Sequence, residues 1–334
     1  MKSRGVLLRP ESLLVVLFIV VFGLMSLLSP TGFLRPFNIQ SMAFQLPEFG
    51  ILALAQMIII LTGGINLSIS YTAALSSIVG SVLIVLMNAA HLSPAISITA
   101  GIVVMIAIAA LCGAFNGTFV AFVGVSPILV TLGSMTLFDG LSLLITRGGA
   151  ISGYPFAFLW IGNGTLFHVP VPMIIFVIVI LATYFLIDRT SFGLKLYMIG
   201  ANPTATMFSG INVKRVLFVL YIYSGLLSAI AGIIMSSRYN SAKESYGSSY
   251  LLQSVAAAVL GGTDIVGGSG SVIGVVLAAM ILQVVSTGLD ILGFNRFLTN
   301  VIMGVILIVA LSLNALAGSR AQRSRKSTPS ALVR

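Results

Sequence analysis

The chain has 334 residues, of which 58% are hydrophobic and only 7% are charged. Soluble domains carry about 25% charged residues, so this composition excludes a protein whose whole surface faces water and indicates one whose solvent is the lipid bilayer. The net charge of +10 does not indicate a nucleic-acid partner, because the basic residues stand at the two ends and in a few connections.

The first apolar stretch, 13–28, follows Lys2, Arg4 and Arg9 and in that respect resembles the start of a signal peptide. No small-x-small cleavage site follows it, since the chain continues SPTGFLRPF. We therefore expect a retained first membrane helix.

Breaking the apolar runs at glycine, proline, asparagine and charge clusters predicts ten membrane spans. They are 12–29, 45–62, 69–88, 95–113, 126–146, 171–187, 216–236, 251–266, 271–289 and 298–316. No polar linker divides the chain. The expected fold is therefore an all-α integral membrane protein with one transmembrane domain, 1–334.

Ten spans place both termini on one side, and the distribution of Lys and Arg then indicates which side this is. The terminal side collects twelve basic residues: Lys2, Arg4, Arg9, Arg189, Lys195, Lys214, Arg215, Arg320, Arg323, Arg325, Lys326 and Arg334. The opposite side has five: Arg35, Arg147, Arg238, Lys243 and Arg296. We expect cytoplasmic termini, with 317–334 as a basic cytoplasmic tail.

Two connections are long. The segment 147–169 is expected to be an outer loop, in which Trp160 suits an interfacial anchor. The segment 188–215 is the longest cytoplasmic connection. Within it, Asn202 suits a helix N-cap, Pro203 the first turn and Gly210 the end of a short helix. Such a helix could dock a partner, or the segment could be an ordinary loop.

Polar residues at interruptions of the spans are candidates for lining a translocation pathway. They are Asn66, Ser68, Asn116, Thr131 and Asp139. The asparagines suit a neutral, hydroxyl-rich solute, and the alternative is that they hydrogen-bond between helices. Glu48 and Asp139 are the acidic residues predicted to lie inside spans, where charge is costly and usually functional.

Covalent chemistry has little support in the sequence. The two histidines, His91 and His168, are far apart, the single cysteine is Cys112, and no metal-ligand spacing appears. Ser269 within GGSG lacks a base, so we expect no catalytic residues and no metal site. The G-x-x-x-x-G-K-[ST] phosphate loop is also missing. We expect no cofactor, with any ATP bound by a partner subunit.

Four segments resemble the permease subunits of ATP-binding-cassette (ABC) importers for ribose, xylose, galactose and autoinducer-2. They are ILTGGINLSISYTAALS (60–76), GAFNGTFVAFVGVSPILVTLGSMT (113–136), RTSFGLKLYMIGANPTATMFSGINVKRV (189–216) and VAAAVLGGTDIVGGSGSVIG (255–274). They occur in the order and with the spacing of that family, and with the flanking apolar runs they cover nearly the whole chain.

This resemblance implies a permease that is paired with a second copy or a paralogue, two cytoplasmic ABC ATPase subunits and a periplasmic solute-binding protein. The segment 200–212 then resembles the coupling helix that enters a cleft of the ATPase. The residues that this resemblance assigns to coupling are Gly200, Asn202, Pro203, Ala205, Ser209, Gly210, Ile211 and Asn212.

The chain departs from the usual pattern of the family at three places. Asn66 stands where the family usually has aspartate, Asp139 stands where it often has arginine, and Tyr250–Gln253 lacks two usual acidic residues. We expect these three changes to affect which solute is carried and to leave the fold and the class of mechanism intact. Two other functions stay open, namely a stand-alone carrier driven by an ion gradient and an intramembrane enzyme that uses Ser269.

Overall fold

The structure is a computed structural model that describes residues 10–295, 297–306, 308–309 and 312. Lys2, Arg4, Arg9 and the predicted tail 317–334 lie outside the described residues. The helices, numbered α1 to α14 in chain order, are Pro10–Leu28, Pro30–Phe33, Pro36–Ile60, Ile69–Ala89, Pro94–Thr118, Pro127–Thr146, Phe156–Asn163, Val171–Asp188, Ser191–Ala201, Pro203–Phe208, Val213–Tyr239, Ser248–Leu260, Val272–Ile291 and Phe297–Ile306.

Shorter elements complete the fold. A π-helical turn, Phe119–Val123, extends α5, and a 3₁₀ turn, Glu244–Gly247, precedes α12. Four two-residue strands form two antiparallel pairs. The strands β1 to β4 are Ile151–Ser152, Thr165–Leu166, Val169–Pro170 and Ser241–Ala242, and β1 pairs with β4 while β2 pairs with β3.

Proline and glycine set several helix boundaries. Pro36, Pro94 and Pro127 stand at the first turns of α3, α5 and α6, where the missing N–H costs no hydrogen bond. Gly63 and Gly124 follow α3 and the π-helical turn with φ of 79° and 83°, a left-handed conformation that favours glycine.

Eight helices within the described residues are long and apolar enough to cross a membrane, and they confirm an all-helical membrane protein. They coincide with the first seven predicted spans and with the ninth. Three are clearly longer than predicted, and one of them is α11, Val213–Tyr239. The helix α3 begins at Pro36, and α5 with its π-helical turn runs to Val123. The count of ten stays a prediction.

The eighth predicted span, 251–266, is wrong in its extent. The helix α12 has only 13 residues and ends at Leu260. It rises about 20 Å, which is less than the roughly 30 Å of a hydrocarbon core. The segment 261–271 is irregular. Irregular backbone is tolerated at membrane depth where protein surrounds it. The tenth span begins in α14, and most of the rest of it falls outside the described residues.

The helix α3 is the centre of the bundle. Every residue from Leu46 to Ile60 is buried, in a core shared with α8, α11, α12 and α13. Close packing depends on small residues: Ser224 on α11 donates to the Ala55 carbonyl at 3.1 Å, and Gly50 leaves room for the ring of Phe176. The helix α1, by contrast, exposes most of its apolar side chains, as a helix facing lipid does.

The bundle has two distinct ends. At one end, β1 pairs with β4, and the amide of Gly162 donates to Ser237 Oγ at the end of α11. The segment 147–169, predicted as a loop, therefore contains an ordered helix and strands. At the other end lie α9, α10, the break after α3 and the segment 261–271.

Candidate coupling and translocation sites

The helix α10 has the local structure that the sequence predicts. The Asn202 side chain accepts from the Ala205 amide at 2.9 Å as the N-cap, Pro203 begins the helix, and Gly210 follows it with φ of 79°. Ser209 Oγ donates to the Ala205 carbonyl at 3.0 Å. The predicted short helix is confirmed.

One face of α10 holds it to the protein and another is exposed. Thr206 is buried, whereas Met207 and Phe208 are 58% and 83% exposed. Ile211 packs against the main core, and the Asn212 side chain caps α11 by accepting from the Arg215 amide at 3.0 Å. The segment is thus anchored at its far end and presents two large apolar side chains outward.

The preceding helix, α9, is tied to the segment 261–271. The Tyr197 hydroxyl donates to the Gly270 carbonyl at 3.1 Å. Burial, and then the neighbouring carboxylate of Asp188, raise the pKa of Tyr197 to about 12. The hydroxyl therefore keeps its proton at neutral pH and remains a donor.

Backbone-to-backbone contact joins α9 to both interruptions of the bundle. The amide of Gly268 donates to the Leu61 carbonyl at 2.9 Å. A Cβ at Gly63 would lie 2.9 Å from the Val266 carbonyl, and one at Gly267 only 2.6 Å from the Gly63 nitrogen. A Cβ at Gly200 would overlap the Leu61 carbonyl and the Gly268 nitrogen. We call these four glycines, 63, 200, 267 and 268, the glycine junction.

Three of the predicted pathway residues lie together and are buried. Asn66 Oδ1 accepts from the Ser68 amide at 2.9 Å and from Ser68 Oγ at 2.8 Å. Ser68 Oγ in turn accepts from Asn116 Nδ2 at 2.8 Å, which links α5 to the turn before α4. These contacts agree with the second interpretation of the asparagines, namely that they hydrogen-bond between helices.

The other two predicted pathway residues lie on α6. Thr131 Oγ1 is within hydrogen-bonding distance of the Ile65 and Pro127 carbonyls, at 3.1 and 2.8 Å, so it sits beside the same turn. Asp139 is half-buried, two turns further along α6. Asp139 is thus separate from the cluster around Asn66.

A buried ion pair connects α3 with the end of α11. Arg238 Nε and Nη2 donate to Glu48 Oε1 and Oε2 at 2.5 and 3.0 Å, which is a bidentate pair. Oε2 also accepts from the hydroxyls of Tyr239 and Tyr250, each at 3.3 Å. The side chain of Glu48 is fully buried, while that of Arg238 is 17% exposed.

That exposed part of Arg238 faces a cavity of about 330 Å³ between α3, α11, α12, α13 and α14. Most of its wall is polar. Polar side chains on its wall include Gln45, Arg238, Gln253, Gln283, Ser286, Asp290 and Asn300. None of the five predicted pathway residues lines it.

Sequence reasoning found Glu48 but missed its partner and the cavity. The sequence predicts Arg238 in an outer connection, because a charged residue usually ends an apolar run. One signal was available: an acidic residue inside a span requires a nearby cation, and Arg238 lies directly after the apolar run 216–236.

Comparisons with known proteins decide the family. The family described as branched-chain amino acid transport system / permease component matches residues 38–311. The ribose import permease protein RbsC of Bacillus subtilis (strain 168) is 37% identical over 300 residues, covering 89% of this chain and 90% of that protein. The chain belongs to this permease family.

Other permeases are nearly as similar. The autoinducer 2 import system permease protein LsrD of Photorhabdus temperata is 34% identical over 310 residues, covering 90% of each chain. LsrD of Yersinia enterocolitica is 34% identical over the same length. No solved structure matches the chain. The permease relatives and the eight apolar helices identify a multi-pass transport protein of the bacterial inner membrane.

Proposed function

We propose that this chain is the membrane-spanning permease subunit of an ABC importer that moves a small sugar or sugar-like solute. The support is the ribose and autoinducer-2 permeases, which match nine-tenths of the chain. The observation that carries the proposal is α10, a capped helix that exposes Met207 and Phe208 at one end of the bundle.

In this importer, other chains supply the energy and deliver the solute. A separate ABC ATPase subunit binds ATP and receives α10 in a cleft, and a periplasmic binding protein delivers the solute to the opposite end. A second copy or a paralogue completes the permease pair. This chain contributes no nucleotide site and no catalytic residue. Coupling requires that α10 contact the ATPase differently in its two states.

The decisive experiment alters the exposed end of α10. The variant Ser209→Asp places a carboxylate at the helix C-terminus, next to Phe208, where the helix dipole disfavours it. We expect ATP-dependent uptake to be lost while the protein still inserts into the membrane. Ser191→Asp is the matched control, because it puts the same charge at the first turn of α9, where negative charge is favourable.

Two results would contradict the proposal. Full ATP-dependent uptake by Ser209→Asp would remove the coupling role of α10. Uptake by liposomes that contain only this chain and an ion gradient would instead support a stand-alone carrier. Co-purification of an ATPase with the unaltered chain, and its loss in Ser209→Asp, is the expected biochemical result.

A further inference from the structure

The cavity beside Arg238 is unusual because it is polar inside a bundle made almost entirely of apolar helices. Polar groups away from water cost free energy unless they are paired, and at membrane depth they usually serve a function. A volume of about 330 Å³ is at the small end of the range for ligand sites, roughly 300–1,000 Å³. The cavity is therefore large enough for a small ligand.

The cavity wall offers both donors and acceptors. Gln45, Gln253, Gln283 and Asn300 carry amides, and Ser286 adds a hydroxyl. Each amide has two N–H donors and a carbonyl acceptor, and each hydroxyl can act as either. A solute with several hydroxyl groups needs this mixture, because each of its oxygens also donates and accepts.

The wall is partly held in place by its own hydrogen bonds. Gln283 Nε2 lies 3.1 Å from Thr287 Oγ1 and 3.4 Å from Gln45 Oε1. The ring of Phe49 packs on that of Tyr250 with centroids 6.1 Å apart. Pre-positioned groups lose less freedom when a ligand binds.

Arg238 is oriented by Glu48 and keeps donors for the cavity. Its Nε and Nη2 are engaged by Glu48 and Tyr239. Within the described part of the chain, Nη1 donates no hydrogen bond. Because Glu48 neutralises the guanidinium, Nη1 can donate to a hydroxyl or ring oxygen without requiring an anionic solute.

We infer that this cavity is a solute-binding site of the permease itself and that it takes a neutral polyhydroxylated molecule. The inference rests on the proposed function and adds a site to it. Among the described residues the wall offers few apolar side chains, Phe49 and Leu282 beside two tyrosines, so it does not fit the aliphatic side chain of a branched-chain amino acid.

Protection of a single cysteine tests the site directly. Ser286→Cys is made in a Cys112→Ala background, since Cys112 is the one native cysteine and is buried. The full chain in lipid nanodiscs is labelled with a water-soluble methanethiosulfonate, with ribose or L-leucine as probes. Bound ligand slows labelling by 1 + [L]/Kd, about fourfold at three times Kd.

We expect ribose to slow labelling of Ser286→Cys and L-leucine to leave it unchanged. Asn300→Cys is a second reporter on another wall, and Ser152→Cys, exposed on β1, is the matched control that neither probe should protect. Protection by leucine, equal labelling with and without ribose at both reporters, or no labelling at either reporter would overturn the inference.

The labelling experiment and the uptake experiment together distinguish failure of the binding site from failure of the proposed function. ATP-dependent ribose uptake by the complete importer without cysteine protection would leave the importer standing and remove the site. Protection without uptake in the presence of the ATPase and binding protein would remove the importer and leave a binding site.

Discussion

Glu48 and Arg238 hold opposite charges at a place where neither charge would be stable alone. Breaking a buried pair by removing one partner costs about 3–5 kcal/mol, because the other charge remains buried and uncompensated. Replacing both partners by neutral groups costs much less. The bidentate geometry and the full burial of Glu48 put this pair in that class.

We therefore predict that Glu48→Gln and Arg238→Gln each lower the melting temperature of the purified chain more than the double variant Glu48→Gln/Arg238→Gln does. Thermal unfolding in one detergent, compared as a double-mutant cycle, measures the coupling between the two residues. If the two single effects simply add in the double variant, the pair contributes no interaction energy.

Asn66 illustrates why a departure from the family pattern need not change the structure. Its Oδ1 accepts two hydrogen bonds, from the amide and the hydroxyl of Ser68. A carboxylate oxygen can accept the same two bonds. The asparagine and the aspartate usual in the resembling family are therefore both compatible with this turn.

We predict that Asn66→Asp keeps most of the uptake activity, whereas Asn66→Leu, which has similar size but no acceptor, loses it. Leaving a buried donor unsatisfied costs about 1–3 kcal/mol. Uptake and the amount of chain in the membrane are measured together, so that a folding loss is visible. Normal uptake by Asn66→Leu would mean that the turn does not depend on this acceptor.

At the scale of elements, the glycine junction is where α9, the end of α3 and the segment 261–271 are in close contact. At the four glycines the three segments touch through backbone atoms, and the Tyr197 side chain adds a further link between α9 and Gly270. Dense contact transmits a shift rather than dissipating it. A displacement of α10 would therefore reach the break in α3 through α9.

We predict that Gly200→Ala sharply reduces uptake, because its methyl group would separate the Leu61 carbonyl from the Gly268 nitrogen. Overpacking of this kind costs about 1–3 kcal/mol. Gly23→Ala in α1 is the matched control, since a Cβ there meets nothing within 4 Å. ATPase activity that persists without uptake in Gly200→Ala would identify a coupling loss. Normal uptake would show that the junction tolerates separation.

The elements show where sequence reasoning works and where it fails. Long apolar runs predict α4, α6 and α8 closely, because lipid requires about 20 apolar residues of a helix. Capping chemistry predicts α10, because Asn202, Pro203 and Gly210 act locally. The end of α12 is not predicted because the apolar residues before Gly261 and Gly262 and those after Asp264, namely Ile265 and Val266, suggest one continuous span. The cavity was missed because residues from five helices form it.

At the scale of the whole molecule, the two ends of the bundle have different characters. One carries the exposed α10 and the glycine junction, and the other carries the paired strands and the segment 147–169. The cavity lies toward this second end, since Arg238 and Tyr239 close α11, Asp290 is near the end of α13, and Asn300 is near the start of α14. If α10 docks on the ATPase as proposed, the cavity end faces outward.

The twelve-to-five distribution of basic residues makes the same assignment from charge alone. We predict that Ser152→Cys reacts with a membrane-impermeant maleimide in spheroplasts, whereas Ser209→Cys reacts only after the membrane is permeabilised. Both serines are exposed in the structure, so a difference in labelling reports the side of the membrane and not burial. Both variants are made in the Cys112→Ala background. The opposite labelling pattern would place α10 outside, away from any ATPase, and the coupling role would fail with the topology.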